Sequence, residues 1–138
     1  MEIREEQVEK RLSELNISKS PGPDNLHPRV LKELASVLAK PLSIVYRTSL
    51  DSGIVPMAWK TARITQIFKK GDKRDPSNYR PVSLTSIASK ILESIIGDSV
   101  MSHLLTNNLL SSKQFGFIAG RSTTLQILKM MDEWTDTE

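Results

Sequence analysis

Apolar positions recur at helical spacing over most of the chain. Val8, Leu12 and Leu15 stand at i, i+4, i+7 within residues 4–16, a short amphipathic helix. Pro28 suits the first position of a second helix running to about Ala39, with Leu31, Leu34, Val37 and Leu38 inward. Pro41 opens a third, with Leu42, Val45, Tyr46 and Leu50 as its stripe and Gly53 just past its end. The longest pattern follows a Thr85 or Ser86 cap and reaches about Leu105. Ala88, Leu92, Ile96, Val100 and Leu104 run beside Ile87, Ile91 and Ile95, predicting the most buried helix of the chain. Within it Lys90 and Glu93 are spaced to pair, and Gly97 suggests a close packing contact. Asn107 and Asn108 end it. Ser122 or Thr123 caps a last helix carrying Ile127, Met131 and Trp134 on one face.

The period changes to two between Thr61 and Phe68. Ala62, Ile64 and Phe68 fall on alternate positions of a β-branched run, which predicts a half-buried strand. Gly71-Asp72 and Asp75-Pro76-Ser77-Asn78 are turn chemistry. Val82-Ser83-Leu84 return as a short second strand, with Pro81 confining it to an edge or a strand start. Trp59, ahead of this hairpin, is expected to pack beneath it rather than stack on a base. The fold class expected is α+β and helix-rich, with a small antiparallel hairpin sheet of two or three strands.

Charge singles out the hairpin. Lys60, Arg63, Lys69, Lys70, Lys73, Arg74 and Arg80 oppose only Asp72 and Asp75, in a chain of 138 residues whose formal net charge is +3. Lysine and arginine at a hairpin tip suit phosphate oxygens, and equally they suit a solvated loop that keeps the protein soluble. A 38% hydrophobic and 25% charged composition is that of a globular domain. The absence of cysteine excludes disulfide frameworks and thiolate metal sites, and His27 and His103 are too far apart in sequence to suggest a histidine site. No apolar run reaches membrane-spanning length and no signal peptide opens the chain. The expectation is an intracellular protein, nuclear or cytoplasmic, with no membrane partner.

The wording of these segments is more specific than their charge. F-K-K-G-D, about six residues, then N-Y-R-P-V-S-L resembles the fingers region of reverse transcriptases from non-LTR retrotransposons of the jockey and LINE type. K-S-P-G-P-D at Lys19 to Asp24, P-x-x-W-K ending at Lys60, S-K-I-L-E, and the loop Gln114 to Ser122 follow the same family in order. The likeness covers roughly residues 18–135. It implies a lead-in over residues 1–17, then residues 18–138 as the N-terminal part of a reverse transcriptase domain, fingers and the start of the palm. It also implies that Lys69, Lys70 and Arg80 hold the triphosphate of an incoming dNTP. Lys60, Arg63, Gln114, Gly116, Phe117 and Arg121 would then face an RNA template and DNA primer. The parent reaction uses Mg2+, and palm and thumb would be the partners of this segment.

Departures from the family are also legible. Asn25 stands where glycine is usual, and asparagine tolerates the left-handed backbone such a turn needs. Gln66 replaces a proline, and Ile118 and Ala119 replace an arginine and a frequent lysine. No D-D, D-x-D or Y-x-D-D occurs, so no carboxylate set for two metal ions is expected and no catalytic residue is assigned. Asp132 and Asp136 share helical spacing but read as part of an acidic, solvated terminus with Glu133 and Glu138. The segment alone is therefore expected to be inactive, cut before the catalytic aspartates. Two other readings stay open: a non-catalytic remnant that binds nucleic acid or a partner, and a decayed piece whose 127/131/134 stripe is exposed.

Overall fold

A computed structural model describes residues 2–135 of the chain. Asp136 and Glu138 of the acidic terminus lie outside the described residues. The elements are α1 (Glu5–Ser13), α2 (Pro28–Glu33), α3 (Ala35–Ser52), β1 (Ala62–Phe68), β2 (Tyr79–Thr85), α4 (Ile87–Thr106) and α5 (Thr123–Thr135). This is a helix-rich α+β chain whose sheet has two antiparallel strands. It divides into two compact units, Met1–Asp98 and Ser99–Glu138.

In the first unit α1 packs on α3. Val8 and Leu12 are buried, as the spacing of α1 predicts, Leu15 packs against them from the side, and Ile3, just ahead of α1, joins the same core. The face α3 turns inward is not its most apolar one. Ala35, Ala39, Ser43, Tyr46 and Ser49 are buried, whereas Leu34, Val37, Val45 and Leu50 are exposed, Val37 by 69%. Small side chains let two helix backbones approach, and that need overrides the hydrophobic ranking of single positions. Ser43 answers its own burial by donating its hydroxyl to the Lys40 carbonyl at 2.8 Å.

The helix break expected at Pro41 sits seven residues earlier. Leu34 leaves helical geometry (φ −98°, ψ 18°) and α3 runs on through Pro41. A proline in a helix removes one backbone donor. Pro41 is exposed, and the buried face of α3 continues on either side of it, so the helix persists. Gly53 then ends α3 in left-handed geometry, φ +68°, as its position in the sequence indicates.

Tyr46 is the centre of this core. It is fully buried, donates its hydroxyl to the Ala88 carbonyl of α4 at 2.8 Å, and meets the Trp59 ring at 5.6 Å between centroids. Burial pushes its phenol well above the ordinary tyrosine range. Trp59 is thus a packing residue, but its partner is Tyr46 of the helical core rather than the hairpin it was expected to underlie. The first half of α4 supplies Ile87, Ala88, Ile91, Leu92 and Ile95 to the same core. Two finer expectations for α4 fail. Glu93 accepts from the Ser89 hydroxyl at 2.9 Å rather than pairing with Lys90, because Ser89 lies one turn below it on the same face. Gly97 has nothing within 4 Å of a built Cβ, so close packing does not explain it.

The second unit holds the end of α4, a loop over residues 107–122, and α5. Asn108 closes α4 with φ +51°. Ser122 caps α5 by accepting the Leu125 amide at 3.2 Å. Ile127, Met131 and Trp134 are exposed, Trp134 by 69%.

Candidate nucleic-acid interface

The hairpin expected to be half-buried is exposed along the whole of β1. Its pattern suits a strand with one covered face, but among the described residues β1 is left exposed on both faces, so alternation orders the faces without burying one. Pairing runs from Ala62↔Thr85 to Phe68↔Tyr79. The Lys69 amide extends the ladder to the Asn78 carbonyl at 2.8 Å, which makes Ile67↔Arg80 a hydrogen-bonded pair and Gln66↔Pro81 a non-bonded one. Pro81 therefore points its donorless nitrogen away from β1 and costs no ladder bond.

The same register sorts the charges. Side chains alternate between faces, so Arg63, Thr65 and Ile67 share one with Arg80, Val82 and Leu84, and Lys69 extends it. The opposite face carries Ala62, Ile64, Gln66, Phe68, Tyr79, Pro81, Ser83 and Thr85, none of them charged. Both charged residues of the strands thus lie on one side. Lys70 follows in the turn and Lys60 precedes β1; both are exposed.

The tip is a closed hydrogen-bonded structure. Asp72 Oδ1 accepts the Arg74 amide and Asp75 Oδ1 the Ser77 amide, each at 2.9 Å. Asn78 Nδ2 donates to the Asp72 carbonyl and the Tyr79 hydroxyl to the Lys73 carbonyl, also at 2.9 Å. Tyr79 meets Phe68 edge-on at 5.5 Å, and Lys73 Nζ lies 5.8 Å from the centre of the Phe68 ring. Gly71 is required by this geometry: its φ is +90°, and a Cβ there would stand 2.7 Å from Asn78 Nδ2. The two aspartates of the basic stretch are thus committed to backbone amides. The Ser77 amide, then its hydroxyl, holds the Asp75 carboxyl below the ordinary carboxylate range. Among the described residues no salt bridge neutralises Lys69, Lys70 or Arg80. Arg63 differs, since its Nη2 donates to Asn25 Oδ1 at 3.0 Å.

The second loop uses its arginine differently from a free phosphate fork. Arg121 Nη1 donates to the carbonyls of Ser111 at 3.4 Å, Ser112 at 3.3 Å and, most closely, Gln114. Its guanidinium also sits 5.6 Å from the Phe115 ring centre, with Lys129 Nζ at 6.0 Å. It ties the loop together and keeps Nε and Nη2 as further donors. Phe117 is fully exposed and holds φ +62°, uncommon for a bulky residue. Gln114 and Gly116 are exposed beside it.

Sequence reasoning placed these cations and loops but missed Asn25, Asp72, Asn78 and Tyr79 as the side chains that hold them. The signal for the tip was its turn chemistry, Gly71-Asp72 and Asp75 to Asn78, which named the turn but not the bonds within it. Among the described residues no group of three or more histidine, aspartate or glutamate side chains is placed to hold a metal ion. No helix among them is long and apolar enough to cross a membrane.

No family model matches the chain. Curated relatives do. It is 34% identical over 129 residues to the probable RNA-directed DNA polymerase from transposon BS of Drosophila melanogaster, covering 93% of this chain and 14% of that protein. It is 30% identical over 128 residues to the RNA-directed DNA polymerase from mobile element jockey of the same species, covering 92% and 14%. The probable RNA-directed DNA polymerase from transposon X-element matches at 30% over 117 residues, covering 84% and 13%. The chain thus spans about a seventh of the length of these relatives. Across that span, with hairpin and loop phrases included, the chain belongs to the family of RNA-directed DNA polymerases from jockey-type mobile elements.

Proposed function

We propose that residues 18–138 are the N-terminal part of a retrotransposon RNA-directed DNA polymerase, the fingers and the start of the palm of a right-hand enzyme. In this reading Lys69, Lys70 and Arg80 hold the triphosphate of an incoming dNTP. They would offset charge that builds on the leaving pyrophosphate, while bond formation takes place elsewhere in the enzyme. Lys60 and Arg63 at the hairpin base, and Gln114, Gly116, Phe117 and Arg121 in the second loop, face the RNA template and DNA primer. Phe117 offers a stacking face, and Arg121 shapes the loop that presents it. The intact family enzyme would use Mg2+. The described residues offer no cluster that fits the ion, so no step is assigned to it; in this reading the palm supplies that chemistry, with the thumb a further partner of this segment.

One observation carries the reading: the hairpin projects its strand cations from one face, with both local aspartates engaged by backbone amides. Solubility alone does not ask for that sorting. The test is equilibrium binding of a fluorescent dNTP and of labelled single-stranded RNA to the chain and to Lys69→Ala/Lys70→Ala/Arg80→Ala. A loss of dNTP binding of tenfold or more in the triple variant, about 1.4 kcal/mol, supports the assignment. Equal dNTP binding by both proteins overturns it. RNA binding that is salt-sensitive and indifferent to dNTP marks the alternative, a non-catalytic nucleic-acid-binding remnant.

A further inference from the structure

A ribbon exposed along the whole of β1 points where its base points. Here both strands are held at the base by one turn, Pro21 to Asn25. Gly22 is buried against the end of β2: a Cβ at this position would lie 2.6 Å from the Thr85 carbonyl oxygen and 2.9 Å from Ser86 Cα. Asn25 holds the start of β1 through its bond to Arg63 and adopts φ +56° to do so. The turn is closed by the Asn25 amide on the Gly22 carbonyl at 3.1 Å, and by the Leu26 amide on Asp24 Oδ1 at 3.2 Å. Pro21 and Pro23 fix their own φ on either side of Gly22, and Pro28 is fully buried where α2 begins. The turn is therefore stiff and anchored in the helical core.

We infer that this turn is a clamp that sets the bearing of the hairpin on its helical base, with Gly22 and Asn25 as positioning residues for the tip cations. Its consequence for nucleotide binding rests on the proposed function; the clamp itself does not. Seven strand residues span about 23 Å, so a base tilt of about 10° carries the tip about 4 Å, beyond the reach of a hydrogen bond.

The chain has no cysteine, which allows nitroxide labels at Glu9→Cys on α1 and Arg74→Cys at the tip. Pulsed electron–electron distance measurement then reads the bearing directly. Asn25→Gly keeps the left-handed backbone and removes the acceptor; Asn25→Asp keeps both. We expect one narrow distance distribution in the labelled parent and in Asn25→Asp, and a distribution broader by about 4 Å in Asn25→Gly. A role confined to stability would shift thermal unfolding without this pattern of broadening and rescue. Superposable distributions for the parent and Asn25→Gly overturn the inference, as does equal broadening in Asn25→Asp. A parent that binds no dNTP yet shows the expected widths refutes the proposed function and leaves the clamp standing.

Discussion

Removing the hairpin cations one at a time distinguishes a binding surface from a solubilising one. Lys69, Lys70 and Arg80 are exposed and make no salt bridge among the described residues. Alanine at each should therefore change folding free energy by no more than about 0.5 kcal/mol. In the alternative reading, where these cations meet nucleic acid directly, binding of single-stranded nucleic acid responds differently. Each phosphate neutralised contributes about 0.7 to the slope of log affinity against log salt. Each single variant should flatten that slope by about 0.7, and the triple variant by about 2. Between about 50 and about 200 mM salt, a change of 2 in slope alters the affinity ratio about 16-fold, well within the range of fluorescence anisotropy. Lys10→Ala is the control. It removes the same charge from α1, where Lys10 lies 3.9 Å from Glu14, and should leave the slope unchanged. A triple variant with the parent slope would refute that alternative and leave these cations to the dNTP. A Lys10→Ala variant that flattens it as much as Lys69→Ala would also refute the alternative, because net charge alone would then explain the binding.

Three further outcomes follow from the fold. Tyr46→Phe removes the hydroxyl that meets Ala88 in the core, and should destabilise the first unit by about 1 kcal/mol in urea unfolding; no change would mean that bond contributes nothing. Gly71→Ala forces a Cβ into Asn78 on a left-handed backbone, at a cost of about 1–2 kcal/mol, and should speed amide exchange at Arg74 and Ser77. Exchange at the parent rate would show that the tip does not need its glycine. Asp75 titrates below its unfolded value, so its contribution is present above the unfolded pKa and is lost as pH falls through the lower folded one. The Ser77 amide resonance should follow that titration with a midpoint below that of an Asp-Pro-Ser peptide. A midpoint at or above the peptide value would remove the assigned hydrogen bond.

Much of this protein was legible in its residue pattern, for local reasons. Helix ends follow from residues that act on their own backbone: Gly53 and Asn108 adopt left-handed geometry, and Ser122 caps α5. The hairpin followed from a change of period and from Gly71 and Asp75 at its tip. The basic stretch and the family phrases were visible because charge and wording need no coordinates. Asn25, placed in a turn that tolerates the left-handed region, adopts it at φ +56°.

Tertiary structure decided what local rules leave degenerate. Which face of α3 turns inward depended on how closely α1 approaches, so Ala39 and Ser43 were chosen over Val37 and Leu50. Whether the ribbon would be covered depended on other elements, and among the described residues β1 is exposed along its length. The role of Arg121 depended on three carbonyls seven to ten residues away, and that of Arg63 on an asparagine 38 residues earlier. A side chain's type is written in the sequence; the partner that uses up its donors is set by where the chain returns.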